Sequence, residues 1–163
     1  MPGNQGRPVS AVAGLSYDAT GQGDTAFTIT CTLDDTWYTI ADAEIQAEVE
    51  DPSNIFTVSA SAGTITALRK VTGMVFLNAV LSGDEASTVG ELGVMIDSTA
   101  AATQTRTLGV ATLAASMAYS IAVPITLEAG EVLSAAVQTD DDADVFTVHS
   151  FSLAFLETHQ HTA

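Results

Sequence analysis

The chain has 163 residues, enough for one domain that buries roughly 70% of its unfolded surface and folds without staples. Hydrophobic residues make up 47% of it, a globular and not a disordered content. Its 20 acidic residues stand against four basic ones, Arg7, Arg69, Lys70 and Arg106, and the formal net charge of -16 argues against nucleic acid and anionic membranes as direct partners.

Residues 1–24 are punctuated by Pro2, Gly3, Gly6, Pro8, Gly14, Gly21 and Gly23, with a mildly apolar stretch from Ala11 to Leu15. This composition predicts an extended N-terminal arm, either frayed or lying on a partner or neighbouring subunit. Pro2, Gly3, Asn4, Arg7, Pro8, Leu15 and Tyr17 are its candidate contact residues. From Thr25 the pattern is β. Phe27, Ile29 and Cys31 alternate with Thr28 and Thr30, the signature of a half-buried strand. Asp34-Asp35 predicts a turn and Trp37 to Ile40 a short strand. Ala41 to Val49 fits a helical turn by its Ala and Glu content, and a strand by its alternation. Asp51-Pro52-Ser53 predicts another turn.

Ile55 to Ala60 and Gly63 to Leu68 read as strands joined by a hairpin-like turn at Ser61-Ala62-Gly63. Val71 to Leu81 is apolar on both alternations, which predicts a strand buried on both faces. Gly90 to Asp97 reads as a strand, and the Thr-rich run Thr103 to Ala111 as one near an edge. Leu113 to Val123 has helical propensity, but in a β chain a strand stopping before Pro124 is favoured. Glu128 to Glu131 predicts a tight turn, Val132 to Gln138 a strand, Asp140 to Asp144 a polar loop, and Val145 to Leu156 a long closing strand. Residues 158–163 read as a loose tail. Nine or ten short strands with Gly, Asp and Pro turns argue for an all-β sandwich over residues 25–157.

Cys31 is the single cysteine, so no intrachain disulfide forms, and its place in an alternating run predicts a small core residue. The first residues hold no apolar leader segment, no stretch reaches the ~20 apolar residues of a membrane span, and no Asn-x-Ser/Thr sequon occurs. Folding in a cytoplasm is the expectation. The acidic surface is compatible with a saline habitat, where salt screens self-repulsion, and equally with plain solubility.

The chain has no GxSxG, GxxxxGK, CxxC or HExxH motif. His159 and His161 fall in the tail, which leaves His149, on one face of the last strand, as a structural histidine before a catalytic base. The carboxylates of Asp140, Asp141, Asp142 and Asp144 suit Ca²⁺, which takes six to eight oxygens. They lack the spacing of an EF-hand, and a solvated turn is the competing reading. Asp140, Asp142 and Asp144 are the candidate metal ligands. As an enzyme, the chain would depend on His149 or this cluster. Binding without catalysis is the expectation.

Three segments resemble a known family. Thr72-Gly73-Met74-Val75-Phe76-Leu77 opens an apolar strand. Ile125-Thr126-Leu127-Glu128-Ala129-Gly130-Glu131-Val132 precedes the penultimate strand, and Phe151-Ser152-Leu153-Ala154-Phe155-Leu156 ends the last. Together they resemble the jelly-roll domains of the C1q and tumour-necrosis-factor type over residues 55–157. Those domains carry Gly-x-Tyr-x-hydrophobic, Leu-x-x-Gly-Asp-x-hydrophobic and Phe-Ser-Gly-Phe-Leu at the corresponding places. Here Met74 and Phe76 stand around the Tyr position, Glu131 replaces the Asp, and Leu153-Ala154 replaces the Gly.

The resemblance implies a jelly-roll β-sandwich that assembles as a homotrimer. Jelly rolls of this kind also occur on bacterial viruses, as capsid decoration proteins and as fibre or spike heads. The expectation is a trimeric decoration protein of the virion. Its arm would bind the major capsid protein on the outer capsid surface after folding in the host cytoplasm. The alternative is a receptor- or glycan-binding head.

Overall fold

Period-2 alternation becomes strand throughout the described residues, and none of them is helical. A computed structural model describes residues 10–19, 26–51, 54–84, 88–97, 99–111, 116–139 and 144–158, with backbone alone for 88–89 and 99–111. Its strands are β1 (Val12–Asp18), β2 (Phe27–Cys31), β3 (Tyr38–Thr39), β4 (Gln46–Glu50), β5 (Phe56–Ser59) and β6 (Thr64–Ala67). They continue as β7 (Val71–Gly83), β8 (Thr88–Ile96), β9 (Thr99–Ala111), β10 (Met117–Leu127), β11 (Val132–Thr139) and β12 (Asp144–Glu157).

Two six-stranded antiparallel sheets face each other. Sheet A runs β10-β7-β12-β1-β4, with β2 also paired to β12. Sheet B runs β5-β6-β11-β8-β9, with β3 also paired to β11. The chain crosses between the sheets at every step from β2 to β5, from β6 to β7, from β7 to β8, and at every step from β9 to β12. That wrapping makes the sandwich a jelly roll, as expected from the sequence. The long strand β12 gives one edge to β7 and shares the other between β2, opposite 144–148, and β1, opposite 150–156.

The core lies between the sheets. Leu15, Leu77, Phe146 and Phe155 enter from sheet A, and Ile65, Leu92 and Leu133 from sheet B, all at 2% exposure or less. The rings of Phe56 and Phe155 meet across the sheets at 5.2 Å. In the β5–β6 hairpin Gly63 has a φ of 66°, and a Cβ there would collide with the Ile40 carbonyl, so the turn requires glycine.

Three expectations need correcting. Leu15 and Tyr17 do not belong to an arm: Val12–Asp18 is an inner strand between β12 and β4, and both side chains are buried. Ala11, Ala13, Leu15 and Tyr17 form its inward set. The small size of Ala11 and Ala13 and the intervening Gly14 and Ser16 hide the alternation in the sequence. Pro2, Gly3, Asn4, Arg7 and Pro8 lie outside the described residues. Second, β7 is not buried on both faces. Val71, Val75, Leu77, Ala79 and Leu81 point inward, while Phe76 and Asn78 are exposed and Met74 and Val80 half-buried. Third, the strand before Pro124 does not stop there. β10 runs through it, with Pro124 opposite Met74. β10 is an edge strand, where a residue without an N–H costs no ladder bond.

The ambiguous segment Ala41 to Val49 resolves into a turn at Ala43-Glu44 followed by β4. Glu44 N–H donates to Asp42 Oδ1 at 2.9 Å, which ties the turn and lets the following residues extend.

Candidate assembly face

Residues directly opposite one another on antiparallel strands share a face. The registers of β10, β7, β12 and β1 therefore build four rows on the outward side of sheet A. The first is Pro124, Met74, Leu156 and Val12. The second is Ala122, Phe76, Ala154 and Gly14. The third is polar: Ser120, Asn78, Ser152 and Ser16. The fourth is Ala118, Val80, Ser150 and Asp18.

These rows hold one charged residue, Asp18, in a chain of net charge -16. Charge returns at the margin, where β4 sets Glu50 and Glu48 beside Val12 and Gly14. Strand spacing and rise give the four rows a span of roughly 15 by 20 Å, or roughly 300 Å². The first two rows bring Pro124, Met74, Leu156, Val12 and Phe76 together without a charge, which makes this side of sheet A the candidate for contact with a partner. Phe76, in the second row, is 39% exposed, and Leu156, in the first, 38%. Sheet B turns a different face outward, with Thr57, Ser59, Thr64 and Thr66 in register.

The polar row is internally bonded. Ser120 Oγ donates to Asn78 Oδ1 at 2.7 Å, and Asn78 Nδ2 donates to Ser152 Oγ at 3.4 Å. Beyond the fourth row β12 bulges between Val148 and Ser150. His149 sits in that bulge with Nε2 2.8 Å from Ser82 Oγ, and its carbonyl accepts the Ala19 N–H. The imidazole thus has a hydrogen-bonded place in the sheet.

The two ends of the sandwich differ. Ser10 and Thr158 lie at one end, where Ala11 N–H donates to Glu157 Oε2 and Thr158 N–H to the Thr72 carbonyl. Arg69 and Lys70 are in the loop at that end, and Lys70 Nζ pairs with Glu128. The opposite end gathers Asp34, Asp35, Asp84 and Asp144. Asp35 N–H reaches the Thr139 carbonyl, and Asp84 pairs with Val145 through both its N–H and its carboxylate.

Asp144 is 8% exposed and stands opposite Cys31 on β2. Asp140, Asp142, His159 and His161 lie outside the described residues. Among the described residues no three His, Cys, Asp or Glu side chains are grouped closely enough to hold a metal.

Cys31 is fully buried, and burial, followed by the neighbouring Asp144 carboxylate, pushes its thiol up to about 11 from 9.0. The folded state therefore favours the protonated thiol. Its contribution to stability is complete below pH 9 and is lost as pH rises through about 11. At pH 8 the thiol is expected to react with a disulfide reagent at least a hundredfold more slowly in the native protein than in denaturant, because the thiolate is the nucleophile. Equal rates would contradict the burial.

The assembly face was missed in the sequence. Its signal was present in the second apolar alternation of Val71 to Leu81, which marks an outward surface awaiting a cover.

No protein-family model matches the chain, and no curated protein sequence does. Solved structures do. Eiger TNF from S. frugiperda superposes with a TM-score of 0.54 at 10% identity, covering 95% of this chain and 97% of that one. PRD1 vertex protein P5 gives 0.53 at 12%, covering 94% and 100%. Murine APRIL at pH 5.0 gives 0.51 at 14%, covering 92% and 100%. The chain has the TNF-like jelly-roll fold, over nearly its whole length.

Proposed function

We propose that this chain is a homotrimeric structural protein of a viral capsid exterior, which binds the major capsid protein and stabilises the shell. The observation that carries the reading is the outward face of sheet A, mostly apolar and with Asp18 at one corner as its single charge, on a strongly acidic molecule. Two copies can approach there with less like-charge repulsion than elsewhere on so acidic a chain, and burial of Met74, Phe76, Val80 and Leu156 drives the contact. When the face of one copy meets a different patch of the next, the contact is heterologous, and it closes into a ring where the rotation between copies is a whole fraction of a turn. A trimer is that ring with the fewest copies. The likeness to a vertex protein supports a site on a particle.

The two ends suit such a site. The segment before Ser10 leaves from the Arg69–Lys70 end, which also carries Glu50, Glu128, Glu131 and Glu157, and in this reading that end faces the shell because the segment starts there. The aspartate-rich end turns toward solvent. Particles prepared without the chain are expected to lose resistance to heat or osmotic shock. Unchanged resistance, with no copies on the shell, overturns the proposal.

A second reading is a receptor- or glycan-binding head at a vertex, favoured by the fold likeness to PRD1 vertex protein P5. Copy number separates the two: decoration needs copies across the shell, whereas a head occurs in threes at vertices. Both readings assign the chain to binding and not to catalysis.

A further inference from the structure

The polar row that crosses the assembly face has no role in apolar burial. Ser120, Asn78 and Ser152 stand in line between the apolar row centred on Phe76 and the row centred on Val80. An apolar residue at position 78 would have made β7 continuously hydrophobic outward from Met74 to Val80. Asn78 is also held in place. Its carbonyl oxygen accepts from Ser120 Oγ at 2.7 Å, and its amide donates toward Ser152 Oγ at 3.4 Å. An Asn side chain has two donors and an acceptor with two lone pairs, so those two bonds leave one N–H and one lone pair for a partner.

Resting on the trimer reading, we propose that Asn78 is the residue that sets the register and copy number of the assembly. Apolar contacts are tolerant: Met74, Phe76, Val80 and Leu156 bury nearly as well in a slid or two-fold arrangement as in a three-fold one. Asn78 is not tolerant. Once the face is covered, its remaining N–H and lone pair need a matching group, so an arrangement that supplies one is favoured. Every other arrangement leaves them buried and unsatisfied. A single polar residue in an apolar seam fixes strand number in coiled coils by this logic, at a cost in stability. The flanking serines hold the Asn78 amide in one orientation, which makes the restriction directional.

The test compares wild type, Asn78→Leu and the double variant Ser120→Ala/Ser152→Ala by native mass spectrometry and analytical ultracentrifugation. Wild type is expected to be one species of three copies. Asn78→Leu is expected to associate at least tenfold more tightly, yet to spread over two or more stoichiometries. The serine variant frees the Asn78 amide without adding bulk, and is expected to broaden the distribution less. It also serves if Asn78→Leu fails to fold. Variants that remain uniformly trimeric, with unchanged affinity, overturn the role of Asn78 while leaving the trimer intact. A wild-type chain that stays monomeric overturns the trimer, and the assignment with it.

Discussion

Phe76→Asp is expected to convert the proposed trimer into monomers. Phe76 sits in the second row of the outward face of sheet A, between Ala122 and Ala154, and is 39% exposed in the single chain. Because it points away from the core, the substitution leaves the fold largely undisturbed. In the assembly each copy would bury a carboxylate against Met74, Leu156 and a neighbour's apolar surface. An uncompensated buried charge costs several kcal/mol, and each 1.4 kcal/mol is a factor of ten in affinity. The association constant should fall at least a thousandfold. Light scattering at micromolar concentration should then report one third of the wild-type mass. Thr57→Asp, at an exposed position outward on sheet B, is the control and should leave the mass unchanged. A Phe76→Asp protein that keeps the wild-type mass would move the contact to another surface.

The second large effect lies in the core. Phe155→Ala is expected to destabilise the fold by about 3–5 kcal/mol, the range for removing a buried ring. Phe155 is fully buried, and its ring meets Phe56 from the opposite sheet. Truncation therefore removes a tie between the two layers and leaves a cavity that neither sheet can close alone. Native domains hold only about 5–15 kcal/mol in total, so most of the margin would go. A domain of this size loses about 2–4 °C in Tm per kcal/mol, which predicts a fall of about 6–20 °C. The measurement belongs in the Phe76→Asp background at fixed concentration, because assembly makes Tm depend on concentration.

Gly73→Ala should act at the same place from the neighbouring strand. A Cβ there would collide with the Leu156 carbonyl and lie 2.6 Å from Phe155 Cε1. The expected result is a comparable loss with a weakened β7–β12 pairing, visible as faster amide exchange at Met74 and Leu156. A drop below 1 kcal/mol in either variant would show that the sheets are held mainly elsewhere.

Strands, turns and fold class were legible in the sequence because they depend on local rules. The alternation of Phe27, Ile29 and Cys31 specifies a strand with one face inward wherever that strand ends up. Gly63 and Gly130 mark turns because their positive φ is a property of one residue. The short segments around Gly73, Gly130 and Phe151 pointed to the jelly roll, since the close approaches and turns of that fold need those residue types.

Which strands become neighbours was not legible, because pairing joins residues far apart in the chain. Val12 lies opposite Leu156, and Leu156 lies opposite Met74. Nothing near Val12 in sequence indicates either partner, and its small neighbours resemble a loose terminus. Alternation also says only that a strand has two faces, not what covers the second one. The tertiary structure decided that the outward residues of β10, β7, β12 and β1 form one surface with Asp18 as its single charge, crossed by Ser120, Asn78 and Ser152. The sequence by itself determined that this acidic chain folds as a β-sandwich. Only the sheet order, which assembles side chains from four distant segments, decided which residues share that outward face.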